Sequence, residues 1–348
     1  MTDPPVRWDT RLQRYVLTGH AEVVAVLQDP VTYSSAVAPR VPAADRELLA
    51  GFTEWSQRWL FFLDPPEHTP RRAPVARALA PRSLPPVADH ATALVAGLPR
   101  RFDVVADYAH PLAARVMADL LGTTDDGFFA RARAMEHASA HARDPAARRA
   151  GLEAIAAAVT ALRATADGPH SLMLMFAGIE TTQNLIANTL HALLTEPGRW
   201  RALTPERIPG AVEEGARFAP PVLGVLRRTT RAVTLADVPI PAGAELVAMT
   251  AAANRDPAAF ADPDRFDITR SPNRHLTFGL GRHYCPGAEL TRRTTAAALT
   301  ALRTTFPGLR LTGPQPRWRD HDPIVHGPVT LTVHDGPTAQ PAAARKTG

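Results

Sequence analysis

The segment Phe278–Gly287, which reads FGLGRHYCPG, decides how this sequence is interpreted. Gly279 and Gly281 permit tight backbone turns and the close approach of a flat cofactor, because glycine has no Cβ atom. Cys285 precedes an alanine-rich segment that reads as a helix, and the start of a helix favours an anion such as a thiolate. Phe278 is placed to pack beside the sulfur. The segment therefore predicts a loop that presents a cysteine thiolate to a cofactor.

Cys285 is the only cysteine of the chain, which excludes an internal disulfide bond. A single cysteine is most often a small buried hydrophobic residue, so the residues around it have to decide its role. The spacing Phe-Gly-x-Gly-x-His-x-Cys-x-Gly resembles the haem-ligand signature of the cytochrome P450 family at all six specified positions. This resemblance implies that haem b (iron protoporphyrin IX) is the cofactor and that Cys285 is the metal ligand, bound axially to the iron. The implied cofactor-binding residues of the loop are Phe278, Gly279, His283, Cys285 and Gly287.

Apolar residues recur at intervals of three and four through the middle of the chain, which predicts helices. The predicted helices are Ala91–Leu98, Leu112–Leu121, Phe128–Ala142, Ala146–Ala164, Leu172–Leu194 and Ile208–Phe218, with a shorter one at Ala21–Leu27 and a final one after Pro286. Short strands are predicted at Arg14–Thr18, Ala232–Val238, Glu245–Thr250 and Val329–Val333. The fold class is therefore mainly α with a small β portion, and the resemblance implies the cytochrome P450 fold. Because no linker or repeat divides the chain, we expect residues 1–337 to form a single haem domain and residues 338–348 a disordered tail.

A Glu-x-x-Arg pair, Glu214 and Arg217, lies in a predicted helix. Residues three apart on a helix share a face and can pair, although such pairs are common by chance. Because the motif Pro-Asp-Arg-Phe follows at residues 263–266, the pair resembles the family's Glu-Arg-Arg cluster, with Arg265 as its third member. The resemblance implies a role in folding and haem retention.

The segment Asp64–Arg72, DPPEHTPRR, resembles the helix that binds the haem propionates in this family. Charge-assisted hydrogen bonds suit carboxylates that are buried with a cofactor. The residues that match propionate contacts are His68, Arg72, Arg228 and His283. Because the chain is rich in arginine, each of these arginines could instead be a solvated surface charge. The surrounding motifs favour Arg72 and Arg228 as propionate ligands. His275 is a further candidate, balanced against an ordinary surface histidine.

Residues 177–182 read AGIETT inside an apolar segment. Taken alone, Glu180 and Thr181 would be interpreted as part of an exposed helix face. Together with the cysteine loop, the segment resembles the family's distal helix, which makes Ala177, Gly178, Glu180 and Thr181 the catalytic candidates. The resemblance implies that the small residues make space for dioxygen and that the acid and the alcohol deliver protons. Phe176 and residues 222–225 are expected to line an apolar substrate pocket.

Pro286 departs from the family pattern, which more often has an aliphatic residue with a backbone N–H directly after the ligand. Proline has no N–H, so one hydrogen-bond donor to the sulfur is lost. We expect a more electron-rich thiolate and a lower reduction potential, because hydrogen bonds to a metal-bound sulfur tune the potential. The alternative is that proline simply suits the first position of a helix.

The chain is also shorter than a typical soluble member of the family. Between Ala164 and Leu172 only ATADGPHSL separates two predicted helices, where the family normally has a further helix and loops. Because that insertion helps to cover the distal pocket, we predict a wider substrate mouth or a lid completed by a partner.

Composition limits the classes of partner and compartment. The chain of 348 residues carries a formal net charge of +5, but Lys346 is its single lysine and no basic run is interleaved with aromatic residues. We therefore expect no nucleic-acid partner. The longest apolar runs are far below the ~20 residues that a membrane-spanning helix needs, and no charged-then-apolar signal segment opens the chain. We expect a cytoplasmic protein without a membrane partner.

The resemblance implies a haem-thiolate monooxygenase of secondary metabolism that activates O2 to oxidise a small-molecule substrate or one tethered to a carrier or peptide. A ferredoxin and ferredoxin reductase are the implied redox partners. One alternative is an enzyme that couples aromatic groups oxidatively through C–C or C–O bonds. An alternative of another class is a haem-binding sensor without turnover. The presence of Glu180 and Thr181 argues against a sensor, because a sensor without turnover has no need of proton delivery.

Overall fold

The computed structural model describes residues 4–37, 41–141, 143–163, 165, 167–319 and 324–336. Helices hold about 50% of the chain and strands 13%, which confirms the predicted fold class. The predicted tail, residues 338–348, lies outside the described residues. The helices are α1 (His20–Gln28), α2 (Ala50–Ser56), α3 (His68–Ala78), α4 (Val87–Ala96), α5 (His110–Leu120), α6 (Asp126–Ala140), α7 (Pro145–Leu162), α8 (Gly168–Thr195), α9 (Ile208–Phe218), α10 (Thr250–Ala253) and α11 (Ala288–Thr305).

The longest helix, α8, runs through the centre of the fold. Every residue from Thr182 to Leu190 is buried, as expected for a helix that is surrounded by others. Helix α5 packs closely against it, since a Cβ atom on Gly178 would lie 1.9 Å from the Met117 side chain. His110 and Gln183 join the same two helices through a buried hydrogen bond of 2.9 Å. These contacts between α5 and α8 hold residues 177–182, the AGIETT turn, in a fixed position. No helix among the described residues, α8 included, has the length and apolarity needed to cross a lipid bilayer.

Short strands form small sheets beside the helices. The strands are β1 (Val6–Asp9), β2 (Arg14–Leu17), β3 (Tyr33–Ser34), β4 (Arg101–Asp103), β5 (Val225–Thr229), β6 (Val233–Leu235), β7 (Val238–Ile240), β8 (Glu245–Ala248), β9 (Leu309–Leu311), β10 (Arg317–Trp318), β11 (Pro328–Thr330) and β12 (Thr332–Asp335). The largest sheet has the order β1-β2-β8-β5-β3, in which only β2 and β8 pair in parallel. The strand predicted at Ala232–Val238 is instead the hairpin of β6 and β7, because Ala236 and Asp237 turn the chain with positive φ angles.

Glu214 and Arg217 form the predicted buried pair, in which Arg217 donates to both carboxylate oxygens at 2.7 and 2.8 Å. The third arginine of the cluster is Arg270, and the expectation for Arg265 is wrong. Arg270 Nε lies 3.2 Å from Glu214, whereas the Arg265 side chain is exposed and only its backbone carbonyl takes part. The loop turns inward after the buried Phe266, so the arginine that returns to Glu214 comes later in the chain.

The short connection between α7 and α8 is confirmed, since α7 ends at Leu162 and α8 begins at Gly168. The wider substrate mouth or partner-completed lid stays a prediction. Trp55 of α2 is buried against this connection, and a Cβ atom on Gly168 would lie 2.8 Å from its ring. An ion pair between Arg148 and Asp45 also ties α7 to the segment before α2. These contacts fix the start of α8 and the first turn of α7 to the segment that contains α2.

Candidate active site

The cysteine loop, residues 278–287, is shaped by glycines with positive φ angles. Gly279 has φ 69° and Gly281 has φ 67°, a region that other residues rarely adopt. A Cβ atom on Gly281 would also lie 2.9 Å from a backbone carbonyl of α1. The backbone N–H of Cys285 donates to the carbonyl of Phe278 at 2.8 Å and closes the loop. The loop therefore fixes the position of the cysteine immediately before α11.

The electrostatics of Cys285 differ from the sequence-based expectation. Burial raises the pKa of the thiol, and this outweighs the N–H groups of Gly287 and Ala288 and the charges of Arg72 and Arg292, all of which lower the pKa. The N–H groups at the start of the helix favour the thiolate, as expected, but burial outweighs them in the chain by itself. Some surface of Cys285 remains exposed even though protein atoms surround most of the sulfur. Since a bound metal ion deprotonates a coordinating thiol outright, this sulfur fits a metal ligand better than a free nucleophile.

Two histidine rings meet beside the cysteine loop. The rings of His68 and His283 lie 4.4 Å apart between centroids, and only 1% of His68 is exposed. Both ring nitrogens of His68 and the Nε2 atom of His283 are buried without a hydrogen-bond partner among the described residues. Burial lowers the pKa of both imidazoles, that of His283 to about 3. Such unpartnered polar atoms are costly, so these rings fit a ligand that brings its own polar groups.

Arg227 is the buried cation of this region. Only 6% of it is exposed, and burial lowers its pKa to about 10. It lies close enough to His283 for its charge to help lower the pKa of that imidazole. The nearby carboxylate, Asp64, already accepts hydrogen bonds from the Ser34 hydroxyl and, at 2.9 Å, from the Ser35 N–H. Arg227 and the two histidines therefore present donors to a common region, which suits a ligand that carries carboxylates.

Arg228, which the sequence analysis assigned to the propionates, points the other way. Side chains alternate between the two faces of a strand, so Arg228 of β5 faces outward where its neighbour Arg227 faces inward. It donates to Glu245 at 2.9 Å, and 43% of its side chain is exposed. The assignment of Arg228 is therefore replaced by Arg227. His275, the weaker candidate, lies 3.1 Å from a Glu213 carboxylate oxygen instead.

Arg72, the expected propionate contact, lies beside the cysteine loop. The guanidinium is half-buried, and its Nη2 atom donates to the carbonyl of Tyr284, next to Cys285, at 2.6 Å. Burial lowers the pKa of Arg72, while the nearby Cys285 raises it. In this geometry Arg72 supports the loop, and it lies near the sulfur.

The two small residues of the AGIETT turn, Ala177 and Gly178, have different neighbours on α8. The Thr181 hydroxyl donates to the carbonyl of Ala177 at 2.5 Å, so these two residues share one side of the helix. Gly178 faces α5 and touches Met117 instead. The expectation that Gly178 makes space for dioxygen is therefore corrected, because its missing Cβ atom serves helix packing. Ala177 and Thr181 remain the pair that shapes the turn.

Glu180 is held by a cation that the sequence analysis did not identify. Arg319 pairs with Glu180 and also donates to Glu136 of α6 at 2.8 Å. The Ser139 hydroxyl donates to the same Glu180 oxygen at 2.6 Å. Arg319 comes from the segment after β10, 139 residues away from Glu180 in the sequence. No local motif links the two residues, so only the folded chain reveals the pair.

A cavity of about 390 Å³ lies next to this ion pair, between α6, α7 and α8. Phe176, Met175 and Ile179 of α8 contribute apolar walls, together with Leu152 and Ile155 of α7. The expectation that Phe176 lines an apolar pocket agrees with this position. Of residues 222–225, which the sequence also places at the pocket, Val222 pairs with Val325, and Val325 lines this cavity.

The comparisons with known proteins agree with this geometry. Residues 208–322 match the family model described as Cytochrome P450. The chain is 34% identical to nocardicin C N-oxygenase of Nocardia uniformis subsp. tsuyamanensis, over 92% of this chain and 89% of that protein. The chain belongs to the cytochrome P450 family. A cytochrome P450 of this kind is a monooxygenase, an oxidoreductase of secondary metabolism.

Solved cytochrome P450 structures share the fold over nearly the whole chain. The hydroxylase HmtN is 30% identical and superposes with a TM-score of 0.80, covering 97% of this chain and 94% of that one. P450BioI was solved in complex with an acyl carrier protein ligated to hexadec-9Z-enoic acid. It is 26% identical, with a TM-score of 0.81 and 95% of each chain covered.

Membership of the family implies that the protein binds haem, and the residues of this chain fit that group. Haem carries two propionate carboxylates and an iron that accepts a thiolate. His68 and His283 offer buried ring nitrogens without a partner among the described residues, Arg227 offers a buried guanidinium of which one N–H donates to the carbonyl of Leu226, and Cys285 offers a free thiol that is not fully buried. The donor set therefore matches both chemical parts of the cofactor.

Proposed function

We propose that this cytochrome P450 uses haem b to oxidise a small-molecule substrate of secondary metabolism, and that the sulfur of Cys285 would bind the haem iron. The observation that carries the proposal is the arrangement of buried donors beside the cysteine loop. Arg227, His68 and His283 would bind the propionates, and Arg72 would hold the loop at Tyr284. The N–H groups of Gly287 and Ala288 would keep hydrogen bonds to the sulfur.

When bound, the haem supplies the oxygen chemistry, with the thiolate increasing the electron density at the iron. Ala177 leaves room on the face of α8 that it shares with Thr181. The Thr181 hydroxyl holds a proton at the Ala177 carbonyl, where it is positioned for transfer. Glu180, one residue earlier, is the acid that would resupply this hydroxyl from the side of α6. In this proposal Glu180 and Thr181 would act one after the other as proton donors.

Glu180 is paired with Arg319 in this structure, so proton supply through Glu180 would require that pair to loosen. Glu136 offers the arginine a second carboxylate at 2.8 Å. Because Arg319 already holds Glu136, a small movement of α6 relative to α8 would let the arginine release Glu180 and keep its other carboxylate partner. This arrangement would couple proton delivery to the position of α6.

Electrons would come from a ferredoxin and its reductase, and the partner would dock on the side of Cys285. Arg72 and Arg282 give that side a positive charge, and their guanidinium groups are not fully buried. Positive patches steer the encounter with an acidic protein. The similarity to P450BioI, which was solved with an acyl carrier protein, favours a carrier-tethered substrate as the second candidate.

Turnover with isotopically labelled oxygen tests the proposed reaction. The holoenzyme is supplied with NADH and a surrogate ferredoxin and reductase, and candidate substrates are compared with a control without substrate. A monooxygenase consumes NADH in a substrate-dependent way and places one atom of 18O2 in the product. Product without the label would indicate oxidative coupling, and the absence of substrate-dependent NADH consumption would indicate a haem sensor.

A further inference from the structure

The cavity between α6, α7 and α8 is a mainly apolar pocket beside the AGIETT turn. Its volume of about 390 Å³ lies in the range of pockets that hold small organic molecules. Met135 of α6 and Met175 of α8 line it, and methionine side chains adapt to irregular ligands. Phe176, which immediately precedes Ala177, belongs to the same wall. The cavity can therefore enclose a hydrocarbon framework next to the turn that is proposed to activate oxygen.

One part of the cavity wall is charged. Glu136 and Glu180 line the cavity, and both carboxylates pair with the guanidinium of Arg319, whose side chain has no exposed surface. The other charged group among the described lining residues is Arg148, which pairs with Asp45 and so has its own counter-charge. The described wall therefore carries more negative than positive charge.

Glu136 keeps one carboxylate oxygen available on this wall. Its Oε1 atom accepts a hydrogen bond from Arg319 at 2.8 Å. Its Oε2 atom accepts none from the part of the chain that the structure describes, and it is not fully buried. The side chain as a whole is 16% exposed. An accessible, negatively charged acceptor therefore remains for a ligand that enters the cavity.

We infer that this cavity is a substrate-binding site for a largely apolar molecule that carries a cationic amine, and that Glu136 pairs with the amine through Oε2. The inference rests on the proposed function and deepens it, because it names the substrate class and the residue that selects it. The carboxylate fixes the position of the amine, and the apolar framework occupies the space beside Met135 and Met175.

The chemistry of Glu136 supports this class. A carboxylate accepts hydrogen bonds and cannot donate them, and a ligand with a further carboxylate would bring like charges together. A neutral alcohol could donate to Oε2, but a cation also gains the Coulomb attraction of the carboxylate, which is stronger in a cavity than in water. Arg148 does not favour an anion instead, because Asp45 already neutralises it. An amine that is charged at neutral pH therefore matches Glu136 best.

A pair of probes with the same shape tests the inference. Trimethyl(4-phenylbutyl)ammonium carries a permanent charge, and its nitrogen cannot ligate the haem iron. The uncharged probe, (5,5-dimethylhexyl)benzene, has a carbon atom in place of that nitrogen. The dissociation constants of both probes are measured for the holoenzyme by equilibrium dialysis. Glu136→Gln removes the charge and keeps the shape of the side chain, so it is expected to bind the charged probe about tenfold more weakly and the uncharged probe as tightly as the wild type.

Glu153→Gln is the matched control, because Glu153 lies on α7 but outside the cavity. Its side chain is 55% exposed and pairs with Arg149 at 2.6 Å. Both substitutions remove one negative charge from the protein, so a difference between them comes from the position of Glu136 on the cavity wall. Glu153→Gln is expected to bind both probes as the wild type does.

Photoaffinity labelling of the wild-type holoenzyme locates the site without any variant. The reagent is the charged probe with a diazirine group on its phenyl ring, and excess unmodified probe serves as the competitor. Labelled peptides are identified by mass spectrometry. We expect competed labelling in α6 and in the part of α8 that contains Met175 and Phe176.

A wild-type protein that does not bind the charged probe overturns the inference, as does Glu136→Gln binding it as tightly as the wild type. An equal loss in Glu153→Gln would assign the effect to the overall charge of the protein and overturn it too, as would competed labelling only outside α6, α7 and α8. These results leave the proposed function intact, as long as the protein holds haem through a thiolate. If the wild-type protein holds no haem, the proposed function and the inference fail together.

Discussion

Arg319 and Glu180 form an ion pair in the interior of the protein, joining the segment after β10 to the central helix. The side chain of Arg319 has no exposed surface, and that of Glu180 is 23% exposed. Arg319 also reaches Glu136 at 2.8 Å and the Ser139 hydroxyl at 3.2 Å. The acid that the family resemblance assigns to proton delivery is therefore held by a residue far away in the sequence.

The two carboxylates that share Arg319 allow the proton role of Glu180 to be separated from its structural role. Glu180→Gln and Glu136→Gln each remove one negative charge from the same arginine. We expect Glu180→Gln to slow turnover by about 100-fold, which is typical for the loss of a positioned acid, and to increase the solvent deuterium isotope effect. Glu136→Gln is expected to leave the isotope effect unchanged. Equal effects of the two variants would show that Glu180 serves only the ion-pair cluster.

Substitutions of two adjacent arginines of β5, Arg227 and Arg228, are expected to differ in their effect on haem retention. Arg227 is buried beside His283, whereas Arg228 pairs with Glu245 at the surface. Arg227→Gln is expected to weaken haem binding by roughly 10- to 100-fold, since a hydrogen bond to a charged group contributes about 1.5–3 kcal/mol. The rate of haem transfer to apomyoglobin measures this effect. Arg228→Gln, which changes the same residue type one position away, should transfer haem at the wild-type rate. Faster transfer from Arg228→Gln than from Arg227→Gln would restore the assignment made from sequence.

The reduction potential tests the effect of Pro286. The N–H groups of Gly287 and Ala288 lie at the sulfur, but Pro286 has none to donate. We expect Pro286→Leu to raise the reduction potential of the haem, because an added N–H near the sulfur withdraws electron density from it. Spectroelectrochemical titration of both proteins measures the difference. An unchanged or lower potential in Pro286→Leu would leave helix initiation as the role of this proline.

Stability should fall in mild acid because of His110. Burial lowers its pKa, while the hydrogen bond to Gln183 and the charge of Glu136 oppose that effect. The unfolded chain, in which histidine has a pKa of about 6.5, then binds the proton more readily than the folded chain. Below that pH the free energy of unfolding is expected to lose up to about 1.4 kcal/mol per pH unit from this group, down to its own lowered pKa. Urea titrations from pH 7.5 to 5 measure the slope, with His110→Gln as the control that cannot titrate. A slope as steep in His110→Gln as in the wild type would assign the pH dependence to other groups.

Much of the site follows from the sequence because its motifs are local. Gly279 and Gly281 have the positive φ angles that the cysteine loop requires, and Thr181 contacts Ala177 one helical turn away. Backbone geometry alone relates these residues, so their spacing in the sequence is sufficient to predict them. The helices of the middle region were predictable for the same reason, because apolar residues at intervals of three and four indicate a helix with a buried face.

The residues that the sequence did not reveal depend on contacts between distant segments. Arg270 takes the place of Arg265 because the loop after Phe266 returns to Glu214, and spacing along the chain does not specify such a return. Arg319 reaches Glu180 across the fold in the same way. The choice between Arg227 and Arg228 was within reach, because the alternation of β5 predicts that only one of two neighbouring residues faces inward.

The central claim is that Cys285 holds the haem iron through its sulfur, and the absorption spectrum of the reduced, carbon monoxide-bound protein tests it most directly. The account predicts the long-wavelength Soret band of thiolate ligation for the wild-type protein and its loss in Cys285→Ala. A wild-type protein without this band, or a Cys285→Ala variant that keeps it, would contradict the account.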